Sequence, residues 1–402
     1  MRKFTVGLLY SAKVNAPHEQ DEETPWDKWN ELDSEVSITG YERALRDGGH
    51  EVVPLEGDLF LPEKLTRYKV DICFNTCEGH RAKSREAQVP AMLDMLGVPY
   101  TGSGVMALTI ALDKAMTKRV LQFYSIPTPA FQVFITGDEP VDPRLNFPLF
   151  AKPAWEGSGI GITAKSICQN PRELREQVRY LLRAYKESVL VEEYIEGREV
   201  TTGLLGNIMP RGAWIKERRK MLAAQGQPRE ALQPVPAGAE AVPAEQPNGA
   251  ADGKPPTTNG KRPAPPRDFY HLGVRVFPPM EVDFSPLGSG PNLYNSEIKS
   301  KNPWGPRYLI PAPISAKLTD QISRLTVATF RALECSDFAR VDFRIRSSDN
   351  KPFVLEINPL AGLTEGLSDI VMEAEAAGMS YAQLINGILE AALKRYGMLE
   401  EG

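Results

Sequence analysis

Long apolar runs are missing from this 402-residue chain. No stretch reaches the roughly 18 consecutive apolar residues that crossing a bilayer requires, and Met1 to Tyr10 lacks the apolar run and small-residue cleavage site of a secretion signal. A cytoplasmic protein without a membrane partner is expected. An excess of positive charge is missing too: 47 Lys and Arg stand against 52 Asp and Glu, a formal charge of −5. Nucleic-acid binding normally demands a basic face, so small molecules are the expected partners. Cysteines number four and histidines four. Cys73 and Cys77 have no paired histidines nearby at zinc-ligand spacing, which favours buried free thiols. Residues 222–266 hold ten of the 34 prolines and not one aromatic residue. Such a segment cannot bury enough apolar surface to offset its ordering, so it reads as a disordered insertion. Pro255-Pro256 and Pro263 to Pro266 permit polyproline II and a scaffold role, but composition alone does not establish recognition.

What is present is an alternation of β-rich and helical patterns. Phe4 to Leu9 and Val70 to Phe74 read as buried strands, and Thr39 to Asp47 and Ala87 to Leu96 as helices, which together imply a parallel, doubly wound N-terminal α/β domain. The acidic stretch Asn15 to Asn30 has no period and reads as a surface loop. From Asp113 the pattern changes to α+β. A helix carries Lys114 to Gln122, strands follow at Phe131 to Phe134, Leu149 to Lys152, Gly161 to Ala164 and Val189 to Tyr194, and a helix spans Pro171 to Tyr185. Boundaries near 113 and 197 divide the chain into domains 1–112, 113–196 and 197–402, the last containing the insertion.

Three constellations carry chemistry. Ala339 to Arg346 and Pro352 to Pro359 are β-rich runs around a Ser347-Ser348-Asp349-Asn350 turn, so they are expected to pair as a hairpin. Alternation puts Arg340, Asp342 and Arg344 on one face, and Glu356 and Asn358 on one face of the partner. In register, Asp342, Glu356 and Asn358 offer only oxygen ligands, the set Mg²⁺ takes when nucleotide phosphates share it, with Arg340 beside them. The bland reading of such a hairpin is a solvated charged surface. Second, Lys152 ends a strand before Glu156-Gly157-Ser158-Gly159-Ile160-Gly161, where glycines let backbone N–H groups approach phosphate oxygens. No Gly-Lys-Ser/Thr opens a helix, so this is not a P-loop, and a plain β-turn is the alternative. Third, the strand at Val189 runs into Glu192, Tyr194, Ile195 and Glu199. These carboxylates suit an adenine amine and ribose hydroxyls, and Tyr194 and Ile195 supply an apolar wall. Lys114, following Asp113 at a helix start, is by itself an ordinary surface lysine.

Together these residues resemble the ATP-grasp superfamily and, in order and local sequence, the D-alanine–D-alanine ligase family, from Asp33 to about Leu393. The matching stretches are Glu35-Val36-Ser37, Pro99 to Ala107, Asp113-Lys114, Lys152-Pro153 with Glu156-Gly157-Ser158, and Arg340-Val341-Asp342-Phe343. The resemblance implies a three-domain ATP-grasp fold, and an ADP-forming ligase that makes a peptide bond through an acyl phosphate, as in cell wall biogenesis. It implies ATP phosphates on Lys114 and Lys152 near Glu156 and Gly157, the adenosine on Glu192, Tyr194, Ile195 and Glu199, and two Mg²⁺ ions, replaceable by Mn²⁺, on Asp342, Glu356 and Asn358. Arg340, Ser158 and the Gly362 backbone would serve the reacting centre, and Lys299 would lie on a loop that closes over the phosphates. Amino-acid-like substrates are the implied partners, and a homodimer is one assembly this allows.

The departures concern the substrate. Asp33 stands where the family has a glutamate for the first substrate's ammonium, Ser300 replaces a loop tyrosine, and Ser368 aligns with a carboxylate-binding serine if one residue is inserted after Thr364. The family's His-Gly loop becomes Asn75-Thr76-Cys77-Glu78-Gly79-His80, followed by Ser84-Arg85-Glu86-Ala87-Gln88. Two other readings are open: an ATP-grasp ligase for a different carboxylate and amine, and a nucleotide-binding module without catalysis. The second has no need of Arg340 and the metal set together.

Overall fold

The apolar run near the N-terminus forms a strand, β1 (Thr5–Tyr10), at the centre of a three-stranded parallel sheet between β2 (Glu51–Glu56) and β3 (Ile72–Asn75). The computed structural model describes residues 2–17, 25–80, 82–208, 273–287, 293 and 305–399, and all of these except Gly273 fall within one compact unit. Val6 and Leu8 of β1 pack with Tyr41 and Leu45 of helix α1 (Glu35–Asp47), while Leu9 packs with Leu61 and Leu65 of α2 (Leu61–Tyr68). Burial on both faces explains why the strand is apolar without alternation. The expected parallel, doubly wound arrangement is the one found. Helix α1 starts at Glu35, four residues before the expected Thr39, because the Ser34 hydroxyl accepts the Ser37 N–H at 3.1 Å and caps an exposed first turn. Helices α3 (Gln88–Leu96) and α4 (Val105–Leu112) complete this region.

Helix α5 (Lys114–Phe123) leads to a four-stranded antiparallel sheet of β4 (Phe131–Phe134), β7 (Val189–Glu193), β5 (Leu149–Pro153) and β6 (Ile167–Cys168), in that order. Leu174, Val178 and Leu181 of α6 (Pro171–Tyr185) bury one stripe of that helix against it. The strand expected at Gly161 to Ala164 is not there. Gly159 and Gly161 take φ of +74° and +75°, successive turns close through Gly157 and Gly159 carbonyls, and the chain joins the sheet only at Ile167. A side chain at Gly161 would also meet Pro153 at 2.6 Å, so glycine there serves both conformation and packing.

The third sheet runs β11 (Arg307–Leu309), β10 (Met280–Asp283), β8 (Gly197–Gly206), β12 (Phe338–Arg346), β13 (Pro352–Asn358), with β9 (Val274–Val276) also on β8. The insertion expected at 222–266 lies outside the described residues, as do 18–24 of the acidic stretch. Three helices follow in chain order: α7 (Ala316–Ala332) before β12, then α8 (Asp369–Ala376) and α9 (Tyr381–Arg395). Leu384, Ile385 and Ile388 of α9 join Val6, Leu8 and Tyr41 in one core, which ties the C-terminal helix to the first sheet. Each such fully buried aliphatic side chain contributes about 1.5–3 kcal/mol. All four cysteines are free and buried. No helix among the described residues is long and apolar enough to cross a membrane.

Asp337, with no exposed surface, is a polar counterpart to that core. It accepts from Gly102 N–H at 2.8 Å, Asn207 Nδ2 at 2.8 Å and Arg395 Nη2 at 2.7 Å, and so joins three distant segments. Asp337→Asn leaves Arg395 without its counter-charge. A loss of about 3 kcal/mol, the low end for a broken buried pair, is expected in urea unfolding, whereas an unchanged midpoint would show the contact to be neutral.

Candidate active site

The charged hairpin pairs in the register that brings its polar faces together. Arg340 stands opposite Asn358 and Asp342 opposite Glu356, and a bulge between Asp342 and Phe343 follows. Asp342 Oδ1 and Oδ2 accept from Arg340 Nε and Nη2 at 2.8 and 2.9 Å. Thr201 Oγ1 at 2.7 Å and Asn358 Nδ2 at 3.0 Å donate to the same carboxylate. Arg340 Nη1 also lies 3.6 Å from Asp369 at the start of α8. Among the described residues no group of three or more His, Cys, Asp or Glu is placed to hold a metal ion. The hairpin offers two carboxylates and an amide. An oxygen-only set of this kind fits magnesium that keeps waters and phosphate oxygens as its other ligands.

Two cavities meet at this hairpin. A narrow one of about 90 Å³ is walled by Lys152, Glu192, Tyr194, Ile195, Glu199 and Asp342, with Phe150 stacked on Tyr194. Arg344, which shares the face of Asp342, reaches Glu199 Oε2 at 3.0 Å and the Tyr194 hydroxyl at 2.8 Å. The larger cavity, about 350 Å³, is lined by Asp33, Lys114, Ser158, Arg340, Asn358 and Ser368 among others, and Gly157 and Gly362 also face it. Glu356 alone of the hairpin's polar residues lines both.

Lysines are held between the cavities by a buried chain of alternating charge. Lys118 Nζ is 2.6 Å from Glu192, Lys152 Nζ 2.9 Å from Glu192 and 3.9 Å from Glu356, and Lys114 Nζ 3.5 Å from Glu356. Burial pushes the Glu192 carboxyl up, but Lys118 and Lys152 outweigh it and hold the group down at about 2. Burial likewise opposes the charge on Glu356, and Lys114 and Lys152 bring it below the ordinary value. Lys114 is the first residue of α5, positioned because the Asp113 carboxylate accepts the Ala115 and Met116 N–H groups as the helix cap. The Asp-Lys pair of the sequence is therefore a cap plus a directed cation.

Of the expected nucleotide residues, Lys152, Glu192, Tyr194, Ile195 and Glu199 share the narrow cavity, Lys114 and Gly157 line the larger one, and Glu156 lines neither. That residue sends its carboxylate toward Arg85 at 3.4 Å, and only its backbone carbonyl, bonded by Lys114 Nζ, faces the chain of charge. Glu192 is likewise occupied by two lysines. Asp33 lines the larger cavity, 8% exposed, accepting from Thr76 Oγ1 at 2.9 Å, Tyr41 at 3.2 Å and Ser11 N–H at 3.3 Å, with burial raising it to about 7. Ser368 stands at the N-terminus of α8 without capping it, and its hydroxyl, beside Gly362, accepts the Thr364 N–H at 2.9 Å instead. Ser158 takes φ of +49° on the glycine-rich loop. Lys299 and Ser300 lie outside the described residues.

Several site residues escaped sequence reasoning. Lys118, one helical turn after Lys114, carries no local sign that it is fully buried. Arg85 clamps Glu31 at 2.5 Å and the Trp155 carbonyl at 2.8 Å. The acidic stretch is not merely a surface loop: Asp27 is buried and accepts from Gly161 N–H and the Tyr185 hydroxyl, and Asn30 lines the larger cavity.

Comparison with known proteins identifies relatives of the whole chain. The model of the D-ala D-ala ligase C-terminus matches residues 120–222 and 274–390. A D-alanine–D-alanine ligase of Paracidovorax citrulli is 32% identical over 89% of this chain and 86% of its own length, and one of Delftia acidovorans is 31% identical over 89% and 87%. The uncharacterized protein y4sG of Sinorhizobium fredii is 32% identical over 92% of this chain and 90% of its own length. A D-alanine–D-alanine ligase from Bacillus anthracis, solved with ATP, superposes with a TM-score of 0.62 at 19% identity, covering 99% of this chain and all of that one, and shares the fold.

The buried charge chain predicts a stability signature. Glu192→Gln leaves Lys118 and Lys152 without their shared carboxylate and is expected to cost about 3–5 kcal/mol at pH 7. The folded-state carboxyl titrates near 2 rather than the ordinary 4.5, so its contribution is complete above 4.5 and fades as pH falls toward 2. Urea unfolding of both proteins across that range is expected to show the gap narrowing only on the acid side.

Proposed function

The chain belongs to the D-alanine–D-alanine ligase family and is an ATP-dependent, ADP-forming ligase, and from that premise we propose that it joins two amino-acid-like substrates at the hairpin between the two cavities. The observation that carries this reading is Glu356, which lines both cavities with Lys114 and Lys152 beside it. Adenosine would occupy the narrow cavity, the substrates the larger one, and phosphoryl transfer the junction.

The donor carboxylate attacks the γ-phosphorus, giving an acyl phosphate and ADP. The acceptor amine then attacks the acyl carbon, loses a proton and expels phosphate. Lys114 and Lys152 neutralise phosphate charge and are already aimed, so little reorganisation is needed as charge develops. Asp342, Glu356 and Asn358 would hold Mg²⁺, which when bound supplies charge neutralisation at phosphate oxygens. Arg340, kept beside Asp342 by two hydrogen bonds, is placed for the transferring phosphoryl group and for the oxyanion of the tetrahedral intermediate, with the Gly362 backbone N–H as a further donor. Asp33, in its ionised form, would receive the donor ammonium, and Ser368 the acceptor carboxylate. Ser158 would orient the donor, and Lys299 and Ser300 would act from the closing loop. The same proposal places the enzyme in the cytoplasm, where ATP is abundant.

D-alanine is the first donor and acceptor to test, since it is in the names of the relatives. ADP formation with Mg·ATP and a panel of D- and L-amino acids, read with mass spectra of the products, checks the proposal. A dipeptide is expected, and Arg340→Ala is expected to lower kcat by about 10²- to 10³-fold while an ATP analogue still binds. ADP without an amide product, or full turnover by the Arg340 variant, would sink it.

A further inference from the structure

Glu78 follows β3 in a loop, where the family's His-Gly loop is replaced, and Glu86 lies beyond it in the turn before α3. Both line the larger cavity that holds Asp33. Glu86 is only 8% exposed. Among the described residues, neither carboxylate has a hydrogen bond or an ion pair, although burial opposes leaving a carboxylate there. The cations nearby are engaged elsewhere. Arg85 binds Glu31, the Trp155 carbonyl and Glu156; Lys114 binds Glu356 and the Glu156 carbonyl; Lys13 donates to Asn30 at 3.0 Å.

We infer that the donor substrate carries a second cationic group, an amine or guanidinium on its side chain, which docks between Glu78 and Glu86 while Asp33 takes the α-ammonium. The inference rests on the ligase reading above. Among the described residues, Asp33, Glu78 and Glu86 face the cavity without an ion pair; one ammonium accounts for one of them, and a second positive charge would supply a closer counter-ion for the other two than Arg85 and Lys114 do. Burial pushes Glu86 up to about 7 and Glu78 well above its ordinary value, the state expected of carboxyls that wait for a cation and ionise fully when it arrives. There is room for a chain longer than alanine's methyl. Glu31, Leu32 and Glu78 also wall a neighbouring cavity of about 360 Å³, whose other lining includes Trp29 and Trp155 but also Lys28, Lys83, Arg85 and Lys186, so a cationic group would stop at Glu78 and Glu86.

The test uses the full chain with Mg·ATP and D-alanine as acceptor. Donors are lysine, ornithine and arginine in both configurations, against the uncharged isosteres norleucine, norvaline and citrulline. ADP release and product mass are measured, and Kd is obtained by calorimetry with a non-hydrolysable ATP analogue. One or more basic donors are expected to exceed the neutral isostere by on the order of 100-fold in kcat/KM. Glu86→Gln is expected to collapse that ratio, and Glu86→Asp to restore part of it. Equal or better use of the neutral isosteres, with amide product formed, overturns the inference and leaves the ligase reading standing; Glu78 and Glu86 would then be a carboxyl pair sharing a proton. Absence of ADP and of amide with every donor overturns both. Because the first comparison is made on the unaltered protein, a variant that fails to fold does not blunt it.

Discussion

The buried alternation of Lys118, Glu192, Lys152, Glu356 and Lys114 is the constraint on which the rest of the site depends. Nucleotide chemistry needs cations aimed at a point where three phosphates will lie, yet three lysines clustered in a dry cleft repel one another and lose hydration. Interposed carboxylates resolve this. Glu192 on β7 ties α5 to β5 through Lys118 and Lys152, and Glu356 on β13 ties both lysine-bearing elements to the third sheet. The cost of burying so many charges is offset only because each has its opposite within reach, so the network is better understood as holding geometry than as adding stability.

The hairpin supplies the other half of the arrangement. Its register puts Asp342 and Glu356 side by side, and the Thr201 hydroxyl from β8, together with Arg340 and Asn358, fixes the Asp342 carboxylate. Arg344, two residues along the same face, borders the narrow cavity and bonds Glu199 and Tyr194. Alternation along one strand therefore places Arg340 on the larger cavity and Asp342 and Arg344 on the narrow one. In the larger cavity, Thr76, Tyr41 and Ser11 converge on Asp33, while Glu78 and Glu86 have no ion pair among the described residues. The carboxylates of the hairpin and those of Asp33, Glu78 and Glu86 thus come from different parts of the chain.

Much of the fold could be read locally. Helix α6 spans the expected Pro171 to Tyr185, and β4 the expected Phe131 to Phe134, because strong amphipathic or β-branched and aromatic patterns coincide there with clear breakers. The strand expected at Gly161 to Ala164 failed because glycines in left-handed conformations curl the loop back over Pro153, which a two-residue alternation cannot reveal. Helix α1 was read short because its first turn is made by a serine cap and exposes Val36. In the site, strand alternation alone sufficed to group Arg340, Asp342, Glu356 and Asn358. Lys118 and Arg85 were not legible, since nothing local distinguishes a buried, paired cation from a solvated one.

By itself the sequence determined the order of elements, the hairpin with its oxygen ligands, the glycine-rich loop, the family these imply and the positions where the chain departs from it. These are properties of spacing and residue type, and they survive any arrangement of the larger pieces. Only the tertiary structure decided that Glu356 stands where the two cavities meet, that Glu192 serves two lysines, that Glu156 turns to Arg85 instead of the nucleotide cavity, and that Glu78 and Glu86 face the same cavity as Asp33. The reason is that a charge takes its role from what shares its desolvated surroundings, and those neighbours come from segments tens to hundreds of residues away.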